Sequence, residues 1–258
     1  CFEYTNYILS GFSENYYSKL PVAADGSCNG LQNFSALLRD SVGGKATNLM
    51  PVDKPEDIYS EVAAVVTKKL KTMAKEDEED ELAQMWLDIG VTRKITKKPV
   101  MTLPYGSTIS SCTEAVEDWL MQHREQHTWE GRHLLKAARY LSRVIWDSIG
   151  EVVIAARDAM GWLQKCARIS AKRNNPLLWI SPSGFKVYQG SKKSNVIEIT
   201  TQLCGRVRVS LGTPSDEIHM YRQANGAAPN FIHSIDAAHM IRTVILSRAA
   251  GIKDFAII

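Results

Sequence analysis

The sequence predicts an α+β fold that is mostly helical. Apolar residues recur at helical spacing along most of the chain, and only residues 177–211 switch to short strand-like runs. With 258 residues, 45% of them hydrophobic and 23% charged, the chain has the composition of a globular protein able to bury a sizeable core.

The elements follow in order. Leu20-Pro21-Val22-Ala23-Ala24 is a short apolar run, predicted as a buried strand ending at the turn Asp25-Gly26-Ser27. Leu31, Phe34, Leu37 and Leu38 share helical spacing, so a helix is expected from near Gly30 until Gly43-Gly44 stops it. A second helix is expected over 55–73. It runs into a tract, Lys68 to Glu81, that turns from basic to acidic and reads as a solvated helix end and loop. A helix over 82–89 follows, then the basic segment Gly90–Gly106, then long helices over 112–127 and 133–171, the last stopped by Asn174-Asn175-Pro176. Leu177–Ile180, Phe185–Tyr188 and Val196–Ile199 read as strands between Pro, Gly and Ser turns. A loop is expected over Asn225–Asn230, a helix from Ser234 to Ala250, and a further apolar strand from Phe255 to Ile258. No internal repeat or low-complexity linker interrupts the chain.

Composition excludes several functions. No apolar run approaches the roughly 20 residues that span a bilayer, so no membrane partner is expected. The cysteines at 1, 28, 112, 166 and 204 form no C-x-x-C pair, and the six histidines form no H-E-x-x-H. Free thiols in a reducing compartment are therefore expected. Cys1-Phe2-Glu3-Tyr4 is neither an initiator start nor a signal peptide and reads as an internal cut. A net charge of +3 is too small to announce nucleic acid.

Three segments carry candidate chemistry. In Pro21-Val-Ala-Ala-Asp25-Gly26-Ser-Cys-Asn-Gly30-Leu-Gln32, an aspartate ends a buried strand, where a hard cation such as Mg²⁺ takes carboxylate oxygen. Gly26 would let a backbone carbonyl approach the same ion. A β-turn aspartate before a helix cap is the plainer alternative. The second segment, Gly90–Gly106, holds four cations in seventeen residues and no acid. On a helix Arg93, Lys97 and Met101 lie one turn apart, on a stripe drifting toward Tyr105. Cations and a ring so arranged suit a triphosphate and its sugar; a solvated basic helix with a buried tyrosine is the alternative. Pro99 and Pro104 argue for splitting the segment, because an internal proline costs about 3 kcal/mol. In the third, Gln223-Ala-Asn-Gly226-Ala-Ala-Pro229-Asn230-Phe231-Ile-His233-Ser234-Ile-Asp236, His233 stands before a helix that Ser234 or Asp236 would cap. Alone, such a histidine is more often a hydrogen-bonded structural residue than a catalyst.

Together and in this order, the segments resemble the signatures of the single-subunit phage and mitochondrial RNA polymerases: P-x-x-x-D-G-S-C-S/N-G-x-Q, R-x-x-x-K-x-x-V-M-T-x-x-Y-G and P-N-F-x-H-S-x-D. The resemblance covers nearly the whole chain, weakest at 107–131 and 190–222. It implies the palm and fingers of a right-hand, family A-like polymerase. Residues 1–53 match part of the palm, 54–232 the fingers, and 233–258 a palm return. The activity implied is DNA-templated RNA synthesis with two Mg²⁺ ions about 3.5–4 Å apart, acting on a DNA template, nascent RNA and NTPs, in a monomeric enzyme.

Residue by residue, Asp25 matches the metal-binding aspartate, with Gly26 beside it. Lys97 matches the lysine that meets the triphosphate and protonates the leaving group, and Arg93 its phosphate-binding neighbour. Met101 and Gly106 belong to the same nucleotide-binding motif. Tyr105 matches the tyrosine beside the sugar that helps select ribose, His233 a histidine near the same nucleotide, and Tyr59 a family tyrosine close to the site. Arg93, Lys94 and Lys98 are expected near the template groove. Where family A DNA polymerases carry a glutamate that blocks a 2′-hydroxyl, this chain has Gly30, which favours ribonucleotides over the DNA-polymerase alternative. The family's second metal aspartate follows a strand like Phe255–Ile258, so the isolated chain is expected to be catalytically silent, a nucleic-acid-binding fragment. The wording G-V-T-R-K-x-T-K and L-P-Y-G resembles phage more than mitochondrial members, which implies the cytoplasm of an infected host.

Overall fold

The computed structural model describes residues 2–11, 23, 25–76, 81–202 and 205–256. They divide into two compact units, Cys1–Gly26 with Thr243–Ile258, and Ser27–Arg242. The first holds helix α1 (Phe2–Leu9) and the irregular Asp25-Gly26. Apart from Ala23, which has no regular structure, the strand expected at Leu20–Ala24 lies outside the described residues. Phe255 and Ala256 are exposed and without regular structure, and Ile257-Ile258 lie outside the described residues.

The second unit is built on helices, as expected. Helix α2 (Asn29–Leu38) buries Gly30, Leu31 and Phe34 on one face. It stops at Arg39 in the left-handed region (φ 52°), not at Gly43-Gly44. Those glycines lie inside a further short helix, α3 (Ser41–Ala46), which the Asp40 side chain caps by accepting from the Val42 N–H. A Cβ on Gly43 would lie 2.5 Å from Ser35 Oγ, so here glycine permits close packing of α3 on α2.

Helices α4 (Ile58–Glu76), α5 (Glu81–Ile89), α6 (Arg93–Thr102), α7 (Ile109–Gln122) and α8 (Gly131–Val152) enclose the main core. Its centre is Trp86, fully buried, with indole Nε1 donating to the Ala137 carbonyl at 3.1 Å. Trp129 lies 5.2 Å away, ring to ring. The predicted helix 133–171 is two helices, because α8 ends at Val153 (φ −118°, ψ 53°) and α9 (Ile154–Lys172) begins afresh. Buried Ile145, Ile149, Val153, Ala156 and Met160 keep the i+3/i+4 rhythm through the break, so periodicity gives no sign of it.

The strand-rich segment forms two separate hairpins. Strands β1 (Leu177–Ile180) and β2 (Lys186–Gln189) pair with Trp179 opposite Val187. Strand β3 (Lys192–Thr201) pairs with β4 (Val207–Ile218), well beyond the predicted Val196–Ile199. Pro214 makes β4 read as a turn. In a two-stranded ribbon its missing N–H can face the open edge.

The largest departure is the last helix, α10 (Met220–Ala249), which runs unbroken through Gly226 and Pro229 where a loop was expected. Its first turns are held by tertiary contacts. Ala224, Ala227 and Ala228 are buried, and the Gln223 and Gln189 amides each donate to the other's backbone carbonyl at 2.8 Å. Small side chains let this stretch approach β2 closely, and that packing outweighs the poor helix propensity of Gly and Pro.

Candidate nucleotide-binding site

Helix α6 passes through Pro99 intact and breaks only at a 3-10 turn, Leu103–Tyr105, with Pro104 at its start. The segment is thus divided at 102/103, where the turn that carries Tyr105 begins. Ile95, Thr96, Pro99 and Val100 face the core. Buried Thr96 Oγ1 donates to the Tyr59 carbonyl at 2.8 Å and ties α6 to the first turn of α4. Lys97 and Met101 lie on the opposite, exposed face. Gly106 closes the turn at φ 88°, a conformation that favours glycine, and a Cβ there would meet Pro229 Cγ at 2.5 Å.

The four cations of the segment differ in surroundings. Arg93 Nε pairs with Asp57 Oδ2 at 2.6 Å and its guanidinium sits 5.1 Å over the Tyr59 ring. Lys98 Nζ pairs with Asp118 Oδ2 at 2.9 Å. Among the described residues no ion pair engages Lys94 or Lys97. Arg93 and Lys98, both expected near a template groove, thus each carry an acidic partner.

Tyr59 is buried between α2 and α6. Its hydroxyl neighbours Cys28, the left-handed N-cap of α2 (φ 65°). Burial, then the neighbouring Cys28, pushes the Tyr59 phenol far above its ordinary range, and burial raises the Cys28 thiol as well. Asp57 moves the other way. Burial opposes its ionisation, but hydrogen bonds from Ser60 and Arg93 prevail and hold the carboxyl below its usual value.

Tyr105 and His233 come together, stacked at 4.8 Å between ring centroids with planes 28° apart. His233 does not precede a helix; it lies in the middle of α10. Neither Ser234 nor Asp236 caps anything. Ser234 Oγ donates to the Phe231 carbonyl at 2.6 Å and accepts from Trp179 Nε1 at 2.9 Å. Asp236 Oδ1 accepts from Asn33 Nδ2 on α2 at 2.5 Å. The Asp236 carboxylate also neighbours the Tyr105 hydroxyl. Burial, then this carboxylate, drives the Tyr105 phenol far above its ordinary range.

Gly30 backs the same ring. A Cβ there would lie 2.6 Å from Pro104 Cβ and 3.1 Å from Tyr105 Cζ. Its absent side chain is therefore needed to seat the tyrosine. Sequence reasoning missed Asn33, Asp57 and Thr96. Only Asn33 carried a signal, being a poor helix former inside α2.

Asp25 is exposed, and its Oδ1 accepts from the Gly26 N–H at 2.8 Å. Among the described residues no three His, Cys, Asp or Glu side chains converge on a cation position. One carboxylate and the Gly26 carbonyl are too few donors for a pair of Mg²⁺ ions. Among the described residues, too, no helix is long and apolar enough to cross a membrane.

A model of the DNA-dependent RNA polymerase family matches residues 1–258. The DNA-directed RNA polymerase of Enterobacteria phage K11 is 37% identical over all of this chain and 33% of its own length. The T7 RNA polymerase of Escherichia phage T7 is 36% identical over all of this chain and 34% of its own. The mitochondrial DNA-directed RNA polymerase 1 of Arabidopsis thaliana is 36% identical over 98% of this chain and 26% of its own. The chain spans about a third of the length of the phage relatives. Matched end to end by the family, and similar to phage and organellar members alike, this chain belongs to the phage-type DNA-dependent RNA polymerases.

Proposed function

We propose that this chain carries the nucleotide-binding and ribose-selecting part of a polymerase that copies DNA into RNA. The Tyr105–His233 stack, backed by Gly30 and standing at the end of the helix that bears Lys97, is the observation that carries this reading. In the reaction, the RNA 3′-hydroxyl loses its proton and its oxygen bonds to the α-phosphorus of an NTP. The bond from that phosphorus to the β-phosphate breaks, and pyrophosphate leaves. Lys97 is assigned to the triphosphate and to protonating the leaving group, with Arg93 supporting the same phosphates. Met101 and Gly106 border the nucleotide, and Tyr59 holds Arg93 in place. Asp25 is assigned as a carboxylate for Mg²⁺, which supplies electrophilic stabilisation of the phosphate when bound; the described residues do not complete that site. The right-hand assignment, with palm at 1–53 and 233–258 and fingers at 54–232, belongs to the same proposal. So do the single-subunit enzyme, its DNA template and RNA product, and its action in a phage-infected host.

The test is sugar selection by the complete polymerase that contains this chain. Wild type is expected to prefer NTPs to dNTPs, and Tyr105→Phe to reduce that preference about ten- to a hundredfold through one lost hydrogen bond. A wild type preferring dNTPs would sink the RNA reading and restore the DNA-polymerase alternative.

A cleft of about 600 Å³ adjoins the Tyr105 turn, lined by Gly106, Thr108, Arg157, Asp158, Trp162 and Lys165 among others. Trp162 is 64% exposed, unusual for an indole with no partner to cover it. We assign the single-stranded template to this cleft, its bases stacking on Trp162 and its phosphates meeting Arg157 and Lys165. Trp162→Ala is expected to weaken binding of a single-stranded oligonucleotide about five- to a hundredfold by fluorescence anisotropy. Unchanged binding would move the strand elsewhere.

A further inference from the structure

We propose that the exposed face of α8 is a track for the sugar–phosphate backbone of single-stranded DNA, leading the strand into the cleft beside Trp162. The inference rests on the assignment of the single-stranded template to that cleft and adds a second, separate surface to it.

Arg132, Lys136, Arg139 and Arg143 follow one another at intervals of four, three and four residues, so one turn of α8 separates each from the next. All four are exposed, while Leu134, Ala137, Ala138, Leu141 and Ile145 turn to the core. Among the described residues none of the four belongs to an ion pair. Asp147, one turn beyond Arg143, makes no ion pair with it, and Glu151 is already held by Lys69 at 2.7 Å. Like charges at this spacing repel and weaken a helix. The row is therefore unfavourable until an anion lies along it.

The row does not stop at Arg143. Gly150 lies eighteen residues after Arg132, about five turns on and on the same face. A Cβ there would collide with Arg157 Nη1, so the glycine lets a guanidinium from α9 lie across α8 in line with the other cations. The resulting line is about 27 Å long at about 1.5 Å per residue. Arg157 also lines the cleft that holds Trp162 and Lys165. Row and cleft share this cation and form one continuous path.

The chemistry of the row selects its ligand. It presents charge and N–H donors and no aromatic ring, which suits phosphates and not bases. Three of the four residues are arginines, whose planar forks match phosphate oxygens in pairs. An extended single strand can follow a straight line of this length phosphate by phosphate. A strand within a duplex coils away from a straight helix after a few phosphates. Binding along the row should therefore need a single strand and ignore its sequence.

The experiment titrates the complete polymerase that contains this chain with labelled single-stranded oligonucleotides of about 4 and about 16 nucleotides over a range of salt. Replacing Arg132, Lys136, Arg139 and Arg143 together by Gln should make the slope of log K against log[salt] shallower by about 3 for the long oligonucleotide, at about 0.7 for each phosphate contact. The short one, which the cleft alone can hold, should lose little. An unchanged slope with the long oligonucleotide overturns the proposal. Equal losses with both lengths overturn it as well, because the cations would then act at the cleft itself. So does a loss seen with duplex DNA and not with single strands. Gly150→Ala displaces only Arg157 and favours the helix. It should lower the slope by about 0.7 with the long oligonucleotide, and, should the fourfold variant not fold, an unchanged slope here overturns the proposal alone. Trp162→Ala without effect on the short oligonucleotide would refute the cleft assignment and is read separately from the length dependence.

Discussion

Replacing Gly30 by glutamate is expected to destabilise the unit Ser27–Arg242 by about 3 kcal/mol or more. The cause is local and double. Any Cβ at this position would lie 2.6 Å from Pro104 Cβ and 2.8 Å from Pro104 Cγ. A proline ring fused to its backbone cannot swing aside, so overpacking costs about 1–3 kcal/mol. The carboxylate would enter a buried position facing Tyr105, and a buried charge without a partner adds a penalty of at least about 1–3 kcal/mol. Gly30→Ala separates the two costs. It carries only the steric one, offset by about 1 kcal/mol of helix propensity. Denaturant unfolding of wild type and both variants gives the ranking wild type, alanine, glutamate from most to least stable. Equal stability of wild type and Gly30→Glu would mean that α2 and the Tyr105 turn separate freely. The same contact changes how Gly30 bears on sugar choice. A glutamate here would displace the tyrosine, so under the proposed ribose-selecting role a glycine would act chiefly by seating Tyr105.

Lys97→Ala should lower the rate of nucleotide addition about a hundred- to ten-thousandfold if Lys97 is the proton donor to pyrophosphate. Its neighbours sharpen the test. Arg93, one turn earlier, is paired with Asp57, and Lys98 is paired with Asp118. Lys97 stands on the exposed face of α6, and no ion pair engages it among the described residues. Lys97→Arg keeps the positive charge but holds its proton far more tightly. It should therefore keep KM near the wild-type value while kcat stays low. Lys94→Ala removes an equal charge one turn earlier on α6 and should change kcat little. Equal losses in Lys94→Ala and Lys97→Ala, measured by single-turnover extension, would reduce the role of α6 to general charge.

Much of this was legible in the amino-acid order. The positions of α4, α5 and α7, the start of α2, and the first hairpin follow from apolar spacing and turn residues. Three local motifs, read in sequence, brought Lys97, Tyr105 and His233 into one hypothesis, and the structure stacks the last two directly. The prolines were misleading. Pro99 and Pro229 both sit inside helices because tertiary contacts hold the surrounding turns: Thr96 on Tyr59, Gly106 against Pro229, and the Gln189–Gln223 amide pair. Gly43-Gly44 likewise read as a helix stop but serves as a close-packing surface.

By itself, the sequence determined the helical character, the family and the chemically equipped residues, because side-chain type and local spacing are one-dimensional information. Only the tertiary structure decided that Arg93 is tied to Asp57, that Gly30 makes room for a proline and a tyrosine, and that Asp236 turns from a supposed cap into the acceptor for Asn33. Asn33 and Asp236 are separated by 203 positions. No local pattern encodes such a bond; it exists because the fold brings Asn33 on α2 to Asp236 on α10.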